Sequence, residues 1–217
     1  MSSVRSLLRL GNGKLGEAIH HFDLPAVATC PGRTAVCEQV CYANRGRFNT
    51  KSIRDRLAWN REQSSLPDFA PRLVEEIRRK GVLVLRLHVS GDFYSAEYAD
   101  FWLTVMRACP QARYYFYTRS WRVPAIVPAI ERMAGLANCR AWYSIDEETG
   151  IPTVIPSGVR LAYVQTSRQR PARADLVFRV RGLRKQPRLE LPTVCPQETP
   201  AGHGQGINCG SCGVCFR

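Results

Sequence analysis

A chain of 217 residues with a formal charge of +13 and nine cysteines is long enough to bury its own core, so the thiols are not needed as staples. The first twenty residues lack the apolar stretch of a secretory signal, and no run approaches the roughly 18 apolar residues of a membrane span. Composition therefore excludes a secreted disulfide scaffold and a helical membrane protein. It predicts a chain of the reducing cytoplasm whose clustered thiols bind metal.

In chain order, the first landmark is "CPGRTAVCEQVCYANRGRF", which spaces Cys30, Cys37 and Cys41 as C-x6-C-x3-C. Three thiols with no local fourth suit a 4Fe–4S cluster with one iron left open to another ligand. His20 and His21, just upstream, read as loop residues. A basic helix covers "TKSIRDRLAWNREQ", then an amphipathic one covers "SLPDFAPRLVEEIRRKG". In the second, Phe69, Leu73 and Ile77 recur every fourth residue and Gly81 supplies the stop. The near-continuous apolar run "VLVLRLHVSGDF" predicts a strand covered on both faces. Helix "SAEYADFWLTVMRACP", strand "ARYYFYTRS", helix "VPAIVPAIERMAGLANC" and strand "RAWYSIDEE" continue the alternation, and "VRLAYVQTS" and "ADLVFRVRG" read as shorter strands. This alternation predicts an α/β fold around a parallel sheet.

The chain divides into an α/β domain over 1–186, which includes the cysteine loop, and a cysteine-rich tail over 187–217 packed on it. The tail lacks periodicity and should need a metal to order it. In it Cys209, Cys212 and Cys215 form C-x2-C-x2-C, a spacing that wraps three corners of a cubane, with Cys195 the candidate fourth ligand. Zinc is the alternative, since four thiolates also close a tetrahedral site. The two groups form two sites or share one. Cys109 and Cys139 stand alone at helix ends and read as core residues.

Charge is distributed unevenly. Residues 82–150 hold seven Lys and Arg against seven acids, whereas 33–61 hold seven against two and 160–188 nine against one. Two basic segments flanking the cysteine clusters point to a nucleic-acid partner. Polar residues also cluster where parallel sheets collect ligands, at the carboxyl ends of strands: Ser90, Gly91 and Asp92, then Arg119, then Ser144 and Asp146. Each has a structural alternative. Asp92 and Asp146 could cap the next helix or turn, and Arg119 could pair with an acid of the neutral middle. Ser95 reads as a helix cap.

The residues "LGNGKLG…FDLPAVATCPGRTAVCEQVCYA", "HVSGDFYS", "YTRSW" and "CGSCGVC" resemble, over the whole chain, a phage- and plasmid-borne cysteine-rich family named after a mycobacteriophage gene product, number 88. More distantly, the order of cysteine triad, "VSGDF", "YFYTRS" and "WYSIDE" resembles the core of radical S-adenosylmethionine enzymes. That second likeness implies a partial TIM-barrel-like βα sheet, a 4Fe–4S cluster on Cys30, Cys37 and Cys41, and S-adenosylmethionine held by Gly91, Asp92, Ser144 and Asp146, to which strand-end placement adds Ser90 and Arg119 as candidate cofactor residues. The sequence departs from that family's C-x3-C-x2-C spacing: "CEQVCYAN" keeps the first step, but Asn44 stands at the third position and Cys30 substitutes from upstream. Two functions are therefore expected: a redox enzyme acting on nucleic acid or a nucleotide, or a metal-stabilised nucleic-acid-binding protein without catalysis.

Overall fold

The computed structural model describes residues 5–169, 173–185 and 193–217, with the side chain of His203 left aside. The described residues form one mixed α/β sheet of eight strands in strictly sequential order. An N-terminal hairpin, β1 (Arg9–Asn12) and β2 (Gly16–Phe22), is antiparallel. From β2 onward every pairing is parallel, through β3 (Val84–Leu87), β4 (Arg113–Thr118), β5 (Cys139–Ile145), β6 (Val159–Gln165), β7 (Leu176–Arg179) and β8 (Thr193–Val194).

Between β2 and β3 lie a short helix α1 (Ala35–Val40), then α2 (Lys51–Gln63) and α3 (Phe69–Lys80). Helix α4 (Ala96–Ala108) joins β3 to β4, and α5 (Val127–Ala134) joins β4 to β5. The helices α3, α4 and α5 pack side by side on one face of the sheet, where Phe22, Leu85, Leu87, Tyr114, Phe116 and Ala141 meet Leu73, Ile77, Trp102 and Ile130. Cys109 and Cys139 are buried in this core, as read from their isolation. Ser95 caps α4 by accepting the Tyr98 N–H at 3.2 Å.

Strand side chains alternate between faces, so Ile19, Arg86, Tyr115, Tyr117, Trp142 and Phe178 point to the other side. No long helix covers that face among the described residues. The C-terminal tail does, through Cys195, Cys215 and Phe216. It contains two short helices, α6 (Pro200–Gly204) and α7 (Cys209–Cys212).

Several sequence expectations are corrected. His20 and His21 lie in β2 rather than in a loop; the hairpin escapes detection because only Ile19 and Phe22 mark its buried positions among polar neighbours. Helix α5 begins at Val127, not Val123, because Pro124 forces the preceding Val123 into an extended conformation (φ −109°, ψ 101°). Pro128 falls in the first turn, where its missing N–H has no intrahelical partner to lose. The tail has regular structure of its own, since Asn208 and Ser211 form a reciprocal capping box on α7. The expected tail begins at 187, and its first residues, 187–192, lie outside the described ones.

Candidate functional site

The carboxyl ends of β2 to β5 are tied together by the cysteine loop. Beyond β2, Asp23 accepts the Val89 N–H at 2.8 Å and lies 2.6 Å from His21 Nδ1. Burial would raise its carboxyl pKa, but these bonds prevail and hold it below the usual range. Leu24 then exchanges two bonds with Ser90: its N–H donates to the Ser90 carbonyl at 2.9 Å, and the Ser90 hydroxyl donates to its carbonyl at 2.7 Å. Gly91 lets this approach happen. Its φ is +83°, and a Cβ there would stand 2.5 Å from Leu24 Cβ and 2.7 Å from Thr29 Oγ1. Two non-glycine residues also have left-handed backbones, Val27 (φ 67°) in the loop and His88 (φ 63°) just past β3. Such strain persists only where surroundings over-determine it.

The three thiols come next along the chain. Gly32 sits so close to β4 that a Cβ would lie 2.0 Å from the Arg119 carbonyl oxygen. The Arg122 guanidinium donates to the Gly32 carbonyl at 3.0 Å and the Arg33 carbonyl at 3.3 Å. Thr34 caps α1 by accepting the Cys37 N–H at 2.9 Å, and donates its own proton to Asp146 Oδ2 at 2.7 Å. Cys37 therefore sits on the first turn of α1 and Cys41 closes its end. The structure brings Cys30, Cys37 and Cys41 into mutual electrostatic range. Burial, then the Asp92 charge, pushes the Cys30 thiol up to about 12. Burial also raises Cys37, against the pull of the Arg119 guanidinium facing it.

The polar strand-end residues all converge here, but they direct their hydrogen bonds at one another. Asp92 accepts the Thr118 hydroxyl at 2.7 Å, the Arg119 N–H at 2.7 Å and the Phe93 N–H at 2.8 Å. Its burial outweighs these bonds and lifts its pKa to about 6. Asp146 accepts the Glu148 and Thr149 N–H groups and the Thr34 hydroxyl, and pairs with Arg119 Nη1 at 2.8 Å. Both readings of Asp146 and Arg119 are thus visible: a turn cap and a buried ion pair, placed beside Cys37. That Nη1 is off the hydrogen-bond axis, and Arg119 Nη2 is buried without a partner among the described residues. Ser144 is half-buried on β5 and offers its carbonyl to the Trp121 indole N–H at 3.0 Å.

The tail cysteines form a separate group. The Cys195 N–H bonds the Val177 carbonyl at 2.9 Å, and the Cys209 and Gly210 N–H groups bond the Lys14 and Leu15 carbonyls at 2.8 and 3.1 Å. The Trp142 indole donates to the Cys215 carbonyl at 3.0 Å. These anchors place Cys195, Cys209, Cys212 and Cys215 around one small pocket, lined also by Leu176, Pro196 and Val214. No member of the first triad lines it. Burial raises the Cys195 and Cys209 thiols, and lifts Cys215 to about 11. Among the described residues, no group of three or more His, Cys, Asp or Glu side chains converges closely enough to hold a metal ion.

Residues 5–217 match the family profile described as Gene product 88. The chain belongs to the Gene product 88 family. It is 28% identical to the Gene 88 protein of Mycobacterium phage L5, over 94% of this chain and 85% of that protein. It is 26% identical to the Gene 88 protein of Mycobacterium phage D29, over 95% and 86%. No solved structure matches.

Sequence reasoning missed four residues of this Gene product 88 site. Thr34 carried a legible signal, a threonine three residues before Cys37 at a helix start. Arg122 and His88 carried none, because their roles depend on pairings across the sheet. His88 is buried with Nε2 2.8 Å from the Tyr98 hydroxyl, and burial drops its pKa to about 3. Arg86 is the fourth: a charge inside an apolar run, which is a signal in itself.

Proposed function

We propose that the chain is an iron–sulfur protein whose first triad holds a 4Fe–4S cluster, on a partial βα barrel resembling that of radical S-adenosylmethionine enzymes. The observation that carries this is positional. Cys30, Cys37 and Cys41 stand on the loop directly after the first parallel strand, at the carboxyl end of a sheet whose strands succeed one another in sequence order. In such sheets that end collects ligands. Donor type and count favour a cluster over one ion: the loop supplies three thiols and no fourth cysteine, which suits a polynuclear centre with an open iron. Structural zinc needs four tight ligands, and the three thiols do not converge closely enough for a single ion.

When bound, the cluster would supply an electron to reduce and cleave S-adenosylmethionine. The chain's own residues hold and shape the site. Ser90 pins the loop to the end of β3 where Gly91 permits the close approach, and Asp92 ties the ends of β3 and β4 together. Thr34 and Asp146 pin the loop to β5, and Arg119 brings a cation beside Cys37.

The substrate class is argued from charge. Arg45, Arg47, Lys51 and Arg54 are exposed on the segment that leads out of the triad into α2. The second basic segment shows Arg160, Arg168, Arg173, Arg181 and Lys185 exposed, with residues 170–172 and 186–188 outside the described ones. Guanidinium groups in such numbers favour a nucleic acid or nucleotide.

A second reading, a metal-stabilised nucleic-acid-binding protein without catalysis, is favoured by one observation. Ser90, Asp92 and Asp146 already have internal partners, which leaves them less to offer a cofactor. Anaerobic reconstitution with iron and sulfide, then addition of dithionite and S-adenosylmethionine, separates the two. The enzyme should release 5′-deoxyadenosine above a Cys37→Ala background. A loaded protein that releases none, yet binds nucleic acid with a steep salt dependence, is the binding module.

A further inference from the structure

The face of the sheet turned away from the helices holds a buried charge that, among the described residues, has no ion pair. Alternation along β3 and β4 places Arg86, Tyr115 and Tyr117 on that face, under the tail. Arg86 is only 9% exposed. Among the described residues it makes no ion pair, and its Nε has no hydrogen-bond partner. The Tyr117 ring centroid lies 5.4 Å from its guanidinium carbon, and Tyr42, Tyr115 and the Asp23 carboxylate are within electrostatic range of it without bonding to it. The Tyr115 and Tyr117 hydroxyls are likewise buried without partners among the described residues. The Tyr117 hydroxyl does face the Cys215 thiol, off the axis of a formal bond. By contrast, Lys14, which also faces Cys195 and Cys209 electrostatically, is already matched by Glu198 at 3.0 Å, which also takes Arg184 at 2.8 Å.

A buried cation with no ion pair, beside two buried hydroxyls with no formal hydrogen bond, is costly, and a fold keeps such a group when something else answers it. The group that answers Arg86 must be anionic, accept hydrogen bonds, and sit between Arg86 and the tail cysteines that it faces electrostatically, Cys209 and Cys215. Cys209 and Cys215 line the pocket that Cys195 and Cys212 complete; Arg86, Tyr115 and Tyr117 reach it electrostatically through those two thiols and are not among its lining residues.

We propose that this pocket is a second cluster site, in which four thiolates hold an anionic iron–sulfur centre and Arg86, with the Tyr115 and Tyr117 hydroxyls, forms its built-in countercharge. This inference rests on the iron–sulfur chemistry proposed above but not on the first triad. Four thiolates on a cubane leave a net negative charge that hydrogen bonds to sulfur and a nearby cation stabilise, most strongly in the reduced state. Arg86 and the tyrosines do not ligate the metal. They position and tune it.

The test uses the full chain with Cys30, Cys37 and Cys41 all changed to Ala, so that failure of the triad reading leaves the result untouched. Reconstituted anaerobically with ferrous iron and sulfide, this variant should bind about four iron and four sulfide per chain. Should it fail to fold, Cys212→Ala in the intact chain should lose that same amount. Arg86→Met should lower the midpoint potential of the tail centre. At fixed potential its oxidised-to-reduced ratio should rise at least tenfold, about 59 mV for one electron. The metal-free Arg86→Met chain should resist urea better than the metal-free parent, and Arg86→Lys should recover the potential. Stoichiometric zinc without sulfide, retention of all iron by Cys212→Ala, or a potential indifferent to Arg86→Met would each overturn the proposal.

Discussion

Asp92 makes the structure's clearest claim about pH. Its carboxyl is 5% exposed and is lifted by burial to about 6, although Thr118, Arg119 and Phe93 all donate to it. A folded state that raises an acid's pKa binds its proton more tightly than the unfolded chain does. The resulting stability is full below the ordinary value of 3.8 and is lost as pH rises through about 6. At about 1.4 kcal/mol per pH unit, the loss between pH 4 and pH 7 is about 3 kcal/mol. Asp92→Asn removes that titration while keeping an acceptor for the Thr118 hydroxyl. Urea unfolding of metal-free, reduced parent and variant at half-unit steps from pH 4 to pH 7 isolates the effect, because all other groups cancel in the difference. The parent should lose about 3 kcal/mol relative to Asp92→Asn across that range, most of it between pH 4 and pH 6. Parallel curves, or a parent that gains on the variant as pH rises, would refute the reasoning.

The loop's attachments and the basic segment lead to three further outcomes. Gly32→Ala places a Cβ 2.0 Å from the Arg119 carbonyl, a backbone clash that rotamers cannot relieve; urea midpoints should show a loss of about 1–3 kcal/mol, and iron per chain should fall with the triad displaced. Thr34→Ala removes both the α1 cap and the bond to Asp146, for a loss of about 1–2 kcal/mol that Thr34→Ser should largely restore. Changing Arg45, Arg47 and Arg54 together to Ala should lower the salt slope of nucleic-acid binding by about one per residue, measured by fluorescence anisotropy across a salt series, while leaving the unfolding midpoint within about 0.5 kcal/mol.

The order and type of the central elements are legible because their periodicities are strong. Phe69, Leu73 and Ile77 do face the core from α3, and the runs around Leu85, Phe116 and Ala141 are strands buried on both sides. The N-terminal hairpin and the tail helices are not legible. The hairpin's polar residues conceal its alternation, and α7 is a single turn held by Asn208 and by the carbonyls of Lys14 and Leu15. The two cysteine groups can be picked out by spacing, but their separation cannot. It depends on Cys195 being drawn to β7 while Gly32 is drawn to β4. Asp92, Arg119 and Asp146 are recognisable as strand-end polar residues, yet their mutual pairing becomes visible only when three strands stand side by side. Arg86 stands in plain view in the middle of a strand, and only the empty hydrogen-bond geometry around it makes it informative.

Iron and acid-labile sulfide per folded chain, on anaerobically prepared protein, test the central claim most directly. The account predicts about eight of each in the parent, about four in Cys37→Ala and about four in Cys212→Ala, since each cubane carries four. A folded parent with no labile sulfide, whether it holds zinc or nothing, would contradict it.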